Sequence, residues 1–277
     1  MPMPKLTEKT SALVVSYITI RRAIGISGLL LPVALGPGGW LLGIPIQDNL
    51  SSYYHTPLRD VFVGTICAIG VFLLCYRGHD WVESWTANIG CVAALAVALC
   101  PLDANSDPLV QRSIVGYVHT LAGGTFFLTL AFYSLVHFPR SAGSLQEGEP
   151  HPWERIALYR SSGVVILASM LAMSGYLLML PAPWKSWLND WNFLFWMEWV
   201  AVWSFAAAWL TKGRLIVAEI AVELLAMQRE AFVAKFEHSR EERSQAVPDT
   251  QPVPDTQGND ALTAAAPHAA QKTCANE

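Results

Sequence analysis

Six long stretches of this chain, 23–42, 61–76, 87–102, 113–138, 161–180 and 191–210, are apolar and almost free of charge. A helix needs about 20 such residues to cross the hydrocarbon layer of a bilayer, where every backbone N–H and C=O must find its partner inside the segment. The two shortest stretches, 61–76 and 87–102, cross with little tilt. The expectation is an all-α fold, a polytopic membrane bundle of about six transmembrane helices. Composition agrees: 53% of the 277 residues are hydrophobic and 14% charged, against roughly 25% charged in soluble domains. A net charge of -4 supplies no basic field for nucleic acid, which is excluded as a partner. Four of the five cysteines, Cys67, Cys75, Cys91 and Cys100, fall inside or at the ends of apolar runs, and no CxxC pair is present. They read as small packing residues.

Sidedness follows from lysine and arginine, because positively charged short loops resist translocation. With six spans, Lys5, Lys9, Arg21, Arg22, Arg77, Arg140, Arg155, Arg160, Lys212 and Arg214 share one side, leaving Arg59, Arg112 and Lys185 on the other. The first side is expected to be cytoplasmic, with both termini there and the protein in a cytoplasmic (inner) membrane. Trp184, Trp187 and Trp191 on the outer side are anchors at headgroup depth. The expected organisation is a cytoplasmic N-terminal segment (1–22), a six-helix transmembrane domain (23–212), an amphipathic cytoplasmic helix (213–243) and a disordered tail (244–277). The amphipathic helix sets Val217, Ile220, Leu224 and Leu225 against Glu219, Glu223, Glu230 and Glu237. It suits the membrane surface or a protein partner. The tail, rich in Ala, Pro, Gln, Thr and Asp, lacks the apolar periodicity to order itself.

Ionisable residues are costly in a membrane, so their placement carries the functional signal. They gather at the outer helix ends. The loop DNLSSYYHTPLRD delivers Ser51, Ser52, Tyr54, His55, Arg59 and Asp60, and the third span closes on CPLD with Asp103. His119 lies about 9 Å into the fourth span at 1.5 Å per residue, and Glu198 lies as deep in the sixth. A carboxyl flanked by Trp196, Met197 and Trp199 is costly to keep charged, so it either finds a partner or stays neutral and donates a hydrogen bond. Three readings compete: a packing network in which Arg59 pairs with an acid and His119 with Asp103 or Glu198; an outward-facing polar pocket for a lipid headgroup or small amphipathic ligand; and a zinc site. In the last, His55, Asp103 and His119 are the candidate ligands, with Glu198 or Asp60 as the catalytic proton carrier of a lipid amide or ester hydrolase. No HExxH, P-loop or GxSxG motif is present, so no cofactor is predicted outright. His79, His137, His151, His238 and His268 lie near helix ends, in loops or in the tail, where a solvated imidazole needs no special explanation. Close-spaced glycines, Gly25 with Gly28, Gly64 with Gly70, and Gly123 with Gly124, speak to helix packing.

The run SSYYHTPLRDVFVG, then CPLD, then GYVHTLAGGTFFL resembles the order of motifs in small bacterial membrane proteins grouped with the DRAM and Frag-type superfamily. The resemblance covers residues 48–138. It implies a six-helix bundle with a serine-bearing outer loop, a Pro-Asp closing the third span and a histidine in the fourth, which marks Ser51 or Ser52, Asp103 and His119. The superfamily's eukaryotic members are linked to lipid-anchor remodelling and autophagy. A more distant likeness is to the CREST membrane hydrolases, which gather Ser, Asp and His around zinc but have seven spans and three histidines. The favoured expectation is a membrane protein whose outward pocket binds membrane lipid or a small amphiphile. The alternatives are the metal-dependent hydrolase and a scaffold acting through its C-terminal helix.

Overall fold

The computed structural model describes residues 5–76, 80–104, 107–144 and 151–245. Over these it is helical: α1 (Lys5–Leu35), α2 (Pro37–Leu41), a 3-10 segment (Leu50–His55), α3 (Arg59–Cys75), α4 (Trp81–Leu99), α5 (Ile114–Phe132), a π-helical turn (Tyr133–His137), α6 (Phe138–Ser144), α7 (Pro152–Met179), α8 (Ala182–Asn189), α9 (Phe193–Lys212) and α10 (Ile216–Gln245). No strand occurs among the described residues. The chain divides into two compact units, Met1–Ala231 and Phe232–Glu277. Of the second, 232–245 is described and is helical. The remainder of the expected tail lies outside the described residues.

Among the described residues, five helical segments are long and apolar enough to cross a bilayer: Ile18–Leu41, Trp81–Leu99, Ile114–Ala142, Pro152–Met179 and Phe193–Lys212. Their outward faces carry Leu30, Val92, Leu121 and Leu171, all more than half exposed. Large aliphatic side chains standing mid-helix on a surface are what a lipid solvent favours and water penalises. The 17-residue α3 is shorter, about 25 Å at 1.5 Å per residue, and packs between α1 and α4.

Local chemistry sets where the helices start and stop. Asp80 caps α4 by accepting from the Glu83 N–H at 2.7 Å, and Ser113 caps α5 by accepting from the Gly116 N–H at 2.9 Å, each satisfying an orphan first-turn donor. Proline opens α7 at Pro152, where its missing N–H costs nothing. Arg22 closes α9 by donating to the carbonyls of Gly213 and Arg214, both at 2.8 Å. Helix α1 starts well before residue 23 and runs straight through Arg21 and Arg22. Long basic side chains reach out from a helix to polar partners while the backbone continues.

Glycines let the backbones close on one another. A Cβ on Gly25 would stand 2.6 Å from Leu210 Cδ2, and one on Gly28 3.0 Å from Phe205, so α1 and α9 meet there; Gly70 serves α3 against Ala94 of α4. Trp209, fully buried, packs against Tyr76, Tyr133, Phe138 and Phe205 with ring centroids 5.1–5.9 Å apart.

Within the first unit, α10 turns a different face inward than its apolar pattern suggests. Val222 and Ala226 are buried while Ile220, Leu224 and Leu225 are exposed. Two ion pairs decide this: Glu219 with Arg155, and Arg229 with Glu154 at 3.0 Å. Positions 219, 222, 226 and 229 share one stripe at helical spacing, so pairing buried Arg155 and Glu154 outweighs covering the leucines.

Candidate functional site

Where the 3-10 segment meets α5 and α9, a cavity of about 290 Å³ lies among the helices. Its walls are mainly apolar, with Phe62 and Ile66 from α3, Phe126 and Phe127 from α5, Met170 and Met173 from α7 and Val202 from α9; its polar lining is Ser51, His119, Thr120, Ser174 and Glu198. Three of the sequence-predicted residues, Ser51, His119 and Glu198, therefore reach one space from three different elements.

Each is held by a local hydrogen bond. Glu198 Oε2 accepts from the Leu50 N–H at 2.6 Å, and the Asp48 carbonyl accepts from the Phe195 N–H at 2.9 Å, so the loop before the 3-10 segment rests on the first turns of α9. Residue Asn192, with φ 51, starts that helix. The acid in a tryptophan-rich helix thus has a physical reason: it satisfies a backbone donor that the 3-10 segment leaves without a partner. No hydrogen bond from the described residues reaches the other oxygen, Oε1, and none of their ion pairs involves Glu198. Buried His119 sets Nδ1 2.6 Å from the Cys100 carbonyl. Thr120 donates to the Pro108 carbonyl at 2.6 Å, leaving its lone pairs as acceptors.

The other predicted residues sit outside the cavity lining. The Asn49 carboxamide oxygen accepts from the Ser52 N–H at 2.8 Å and its hydroxyl at 3.0 Å, a cap for the 3-10 segment. Nε2 of His55 lies 2.8 Å from the Leu102 carbonyl. The guanidinium of Arg59 donates to the Tyr54 hydroxyl at 2.8 Å and lies 4.5 Å from that ring's centroid, so its partner is an aromatic phenol and not an acid. Asp60 is exposed in the first turn of α3, where a negative charge meets the positive end of the helix dipole. The carboxylate of Asp103 accepts from the Ser113 hydroxyl at 2.6 Å, the Ser113 N–H at 3.0 Å and the Arg112 N–H. These bonds, led by the Ser113 hydroxyl, hold the Asp103 carboxyl below the usual carboxylate range. His55, Asp103 and His119 thus turn to separate partners.

At the opposite end of the bundle lies a polar layer absent from the sequence reading. Glu83, His137, Glu154, Arg155 and Lys212 are all at most 9% exposed. Tyr76 donates to Glu83 Oε1 at 2.8 Å, Tyr133 donates to the Glu83 carbonyl at 2.9 Å, and Lys212 donates to the Ser141 hydroxyl at 2.5 Å. His137 is no solvated imidazole: the π-helical turn carries it inward, and its Nε2 stands 3.2 Å from Thr86 Oγ1. Among the described residues, the donor atoms of Asp80, Glu83 and His137 come within 4.8 Å of one another, near enough for one metal ion. Their atoms already serve the fold: Asp80 caps α4, Glu83 receives Tyr76, and His137 meets Thr86. The signal that was available is Asp80-x-x-Glu83 at a helix start, a capping-box-like spacing. The burial of Arg155 and Lys212 has no such local mark.

Comparison of the chain with protein-family profiles, with curated proteins and with solved structures finds no match in any of the three.

Proposed function

We propose that this is a multi-pass protein of the bacterial cytoplasmic membrane, with six spans (α3 being the sixth), both termini cytoplasmic, and a binding site for membrane lipid or a small amphiphile in the cavity bounded by Ser51, His119 and Glu198. The observation that carries the reading is the meeting of these residues, from the 3-10 segment, α5 and α9, in a cavity whose walls are otherwise mainly apolar. Ligand sites have this character: mostly hydrophobic walls with a few convergent polar groups that fix orientation. Intramembrane acids face such spaces because lipid does not solvate them. Kinship with the DRAM and Frag-type superfamily belongs to the same proposal; of the residues that the resemblance marks, Ser51 or Ser52, Asp103 and His119, the cavity is lined by Ser51 and His119 and by neither Ser52 nor Asp103. The C-terminal helix offers Ile216, Ile220, Leu224 and Met227, all exposed, at the spacing of one stripe, which favours the membrane surface for its outer face.

The test is thermal unfolding of the purified protein with a panel of single-chain amphiphiles. At an excess of roughly 100 times Kd a ligand stabilises the folded state by about 2.7 kcal/mol, so at least one raises Tm. Glu198→Gln keeps an acceptor for the Leu50 N–H, so it folds, but it answers to that amphiphile with a smaller rise. A panel that leaves the wild-type Tm unmoved removes the reading.

A further inference from the structure

The cavity's rim and lining say more about what enters and by which route. On α5, Gly123 and Gly124 line it, and a Cβ built on Gly124 meets nothing within 4 Å, while one on Gly123 meets only Val97 at 4.0 Å. Unlike Gly25 and Gly28, these glycines bring no helix close; they leave space. Facing them, α7 contributes Met170, Met173 and Ser174, and Ser174 is exposed on the helix exterior. The cavity therefore runs out sideways between α5 and α7, both of them helices long and apolar enough to cross a bilayer.

Its charge is one-sided. No lysine or arginine is among the described residues that line it. Lys185 reaches the carbonyl of the lining residue Leu177 at 3.3 Å but is paired with Asp107 at 2.8 Å. Besides the Ser51 and Ser174 hydroxyls, which can donate as well as accept, the lining offers acceptors: Glu198 Oε1 and the Thr120 oxygen, whose proton goes to the Pro108 or Gly116 carbonyl. An anionic headgroup would meet a carboxyl and no counter-charge, at an uncompensated desolvation cost. At about 290 Å³ the space stands at the lower end of the range for ligand pockets, roughly 300 Å³. It takes one chain and not a diacyl lipid.

We infer that the α5–α7 seam is a lateral portal through which a single-chain amphiphile with an uncharged or cationic hydrogen-bond-donating head enters from the bilayer, its head donating to Glu198 and its chain lying along Gly123, Gly124, Phe127 and Met173. This rests on the amphiphile-binding reading above and narrows it to a ligand class and a route.

The experiment uses full-length protein in phosphatidylcholine vesicles, a photoreactive diazirine analogue of monododecanoylglycerol, and mass-spectrometric mapping of the label. Label is expected on 123–127 and 170–177. A roughly tenfold excess of monododecanoylglycerol or dodecylamine lowers it by about tenfold, and dodecyl phosphate at the same excess leaves it unchanged. Gly124→Leu fills the portal and abolishes the label, whereas Gly124→Ala keeps it; Ser174→Trp at the exposed rim gives the same block should the leucine variant fail to fold. Label concentrated instead in the groove between α4 and α5, lined by Trp85, Val92 and Leu121, or label that survives both blocking variants, overturns the portal. Competition by dodecyl phosphate equal to that of the glycerol overturns the head-group class while leaving amphiphile binding intact. Saturable label nowhere on the protein overturns the inference and the binding reading together.

Discussion

Asp103 ties the end of the CPLD turn to the start of α5 with both carboxylate oxygens, which makes it a structural residue with a pH signature. Its carboxyl is held low, chiefly by the Ser113 hydroxyl. A carboxylate depressed on folding contributes stability above its unfolded pKa of about 3.9, and that contribution is lost as pH falls through the lower folded value. Asp103→Asn is therefore expected to lower Tm near pH 7, with the gap to wild type closing toward pH 3 in a pH series of thermal melts. A constant gap at all pH values would mean that charge is not what Asp103 supplies. The same residue shows how far side-chain roles were legible. That Ser51, His119 and Glu198 approach one space was readable from polar groups at matching depth. That Asp103, His55 and Arg59 would instead close turns was not, because their partners are backbone carbonyls, backbone N–H groups and a neighbouring tyrosine, and depth along a span carries no information about those.

At the scale of elements, helix existence was legible and helix ends were less so. Long uncharged runs mark the helices because an interrupted helix leaves backbone groups unsatisfied in lipid. Arg21 and Arg22 do not end α1, since their side chains find Tyr76, Gly213 and Arg214 as partners. The orientation of α10 turned on ion pairs with α7 that no single-helix pattern contains. Glu219→Arg sets like charge against buried Arg155 and is expected to loosen α10 from α7. The cost lies between the ~1 kcal/mol of an exposed pair and the ~3–5 kcal/mol of a buried one broken on one side. A cysteine at Ala226, buried in the wild type, would then become reactive to maleimide. Arg155→Glu combined with Glu219→Arg restores the pair and the protection; a double variant as reactive as the single one would show that the ion pair does not set the face. The glycines divide in the same way. Gly25, Gly28 and Gly70 meet a facing helix, while Gly123 and Gly124 border a void, and spacing alone makes the two uses look alike.

For the whole molecule, the all-helical architecture and the apolar exteriors were legible in composition, whereas the polar layer around Glu83, His137 and Lys212 was not, because it is assembled from the ends of α3, α4, the π-helical turn, α7 and α9. A six-span arrangement with cytoplasmic termini predicts that cysteines introduced at Asp48 and Lys185 react with an impermeant maleimide in intact cells. One at Arg214 reacts only after permeabilisation. Labelling of position 214 in intact cells would reverse the sidedness. The bond from Leu50 to Glu198 then has a thermodynamic corollary. In the proposed site the carboxyl that steadies the loop ending at Leu50 is also the acceptor for an incoming head, so the two would be linked by one free energy. A ligand bound there would then change how firmly the loop is seated, and whatever grips the loop would change that ligand's affinity by the same factor.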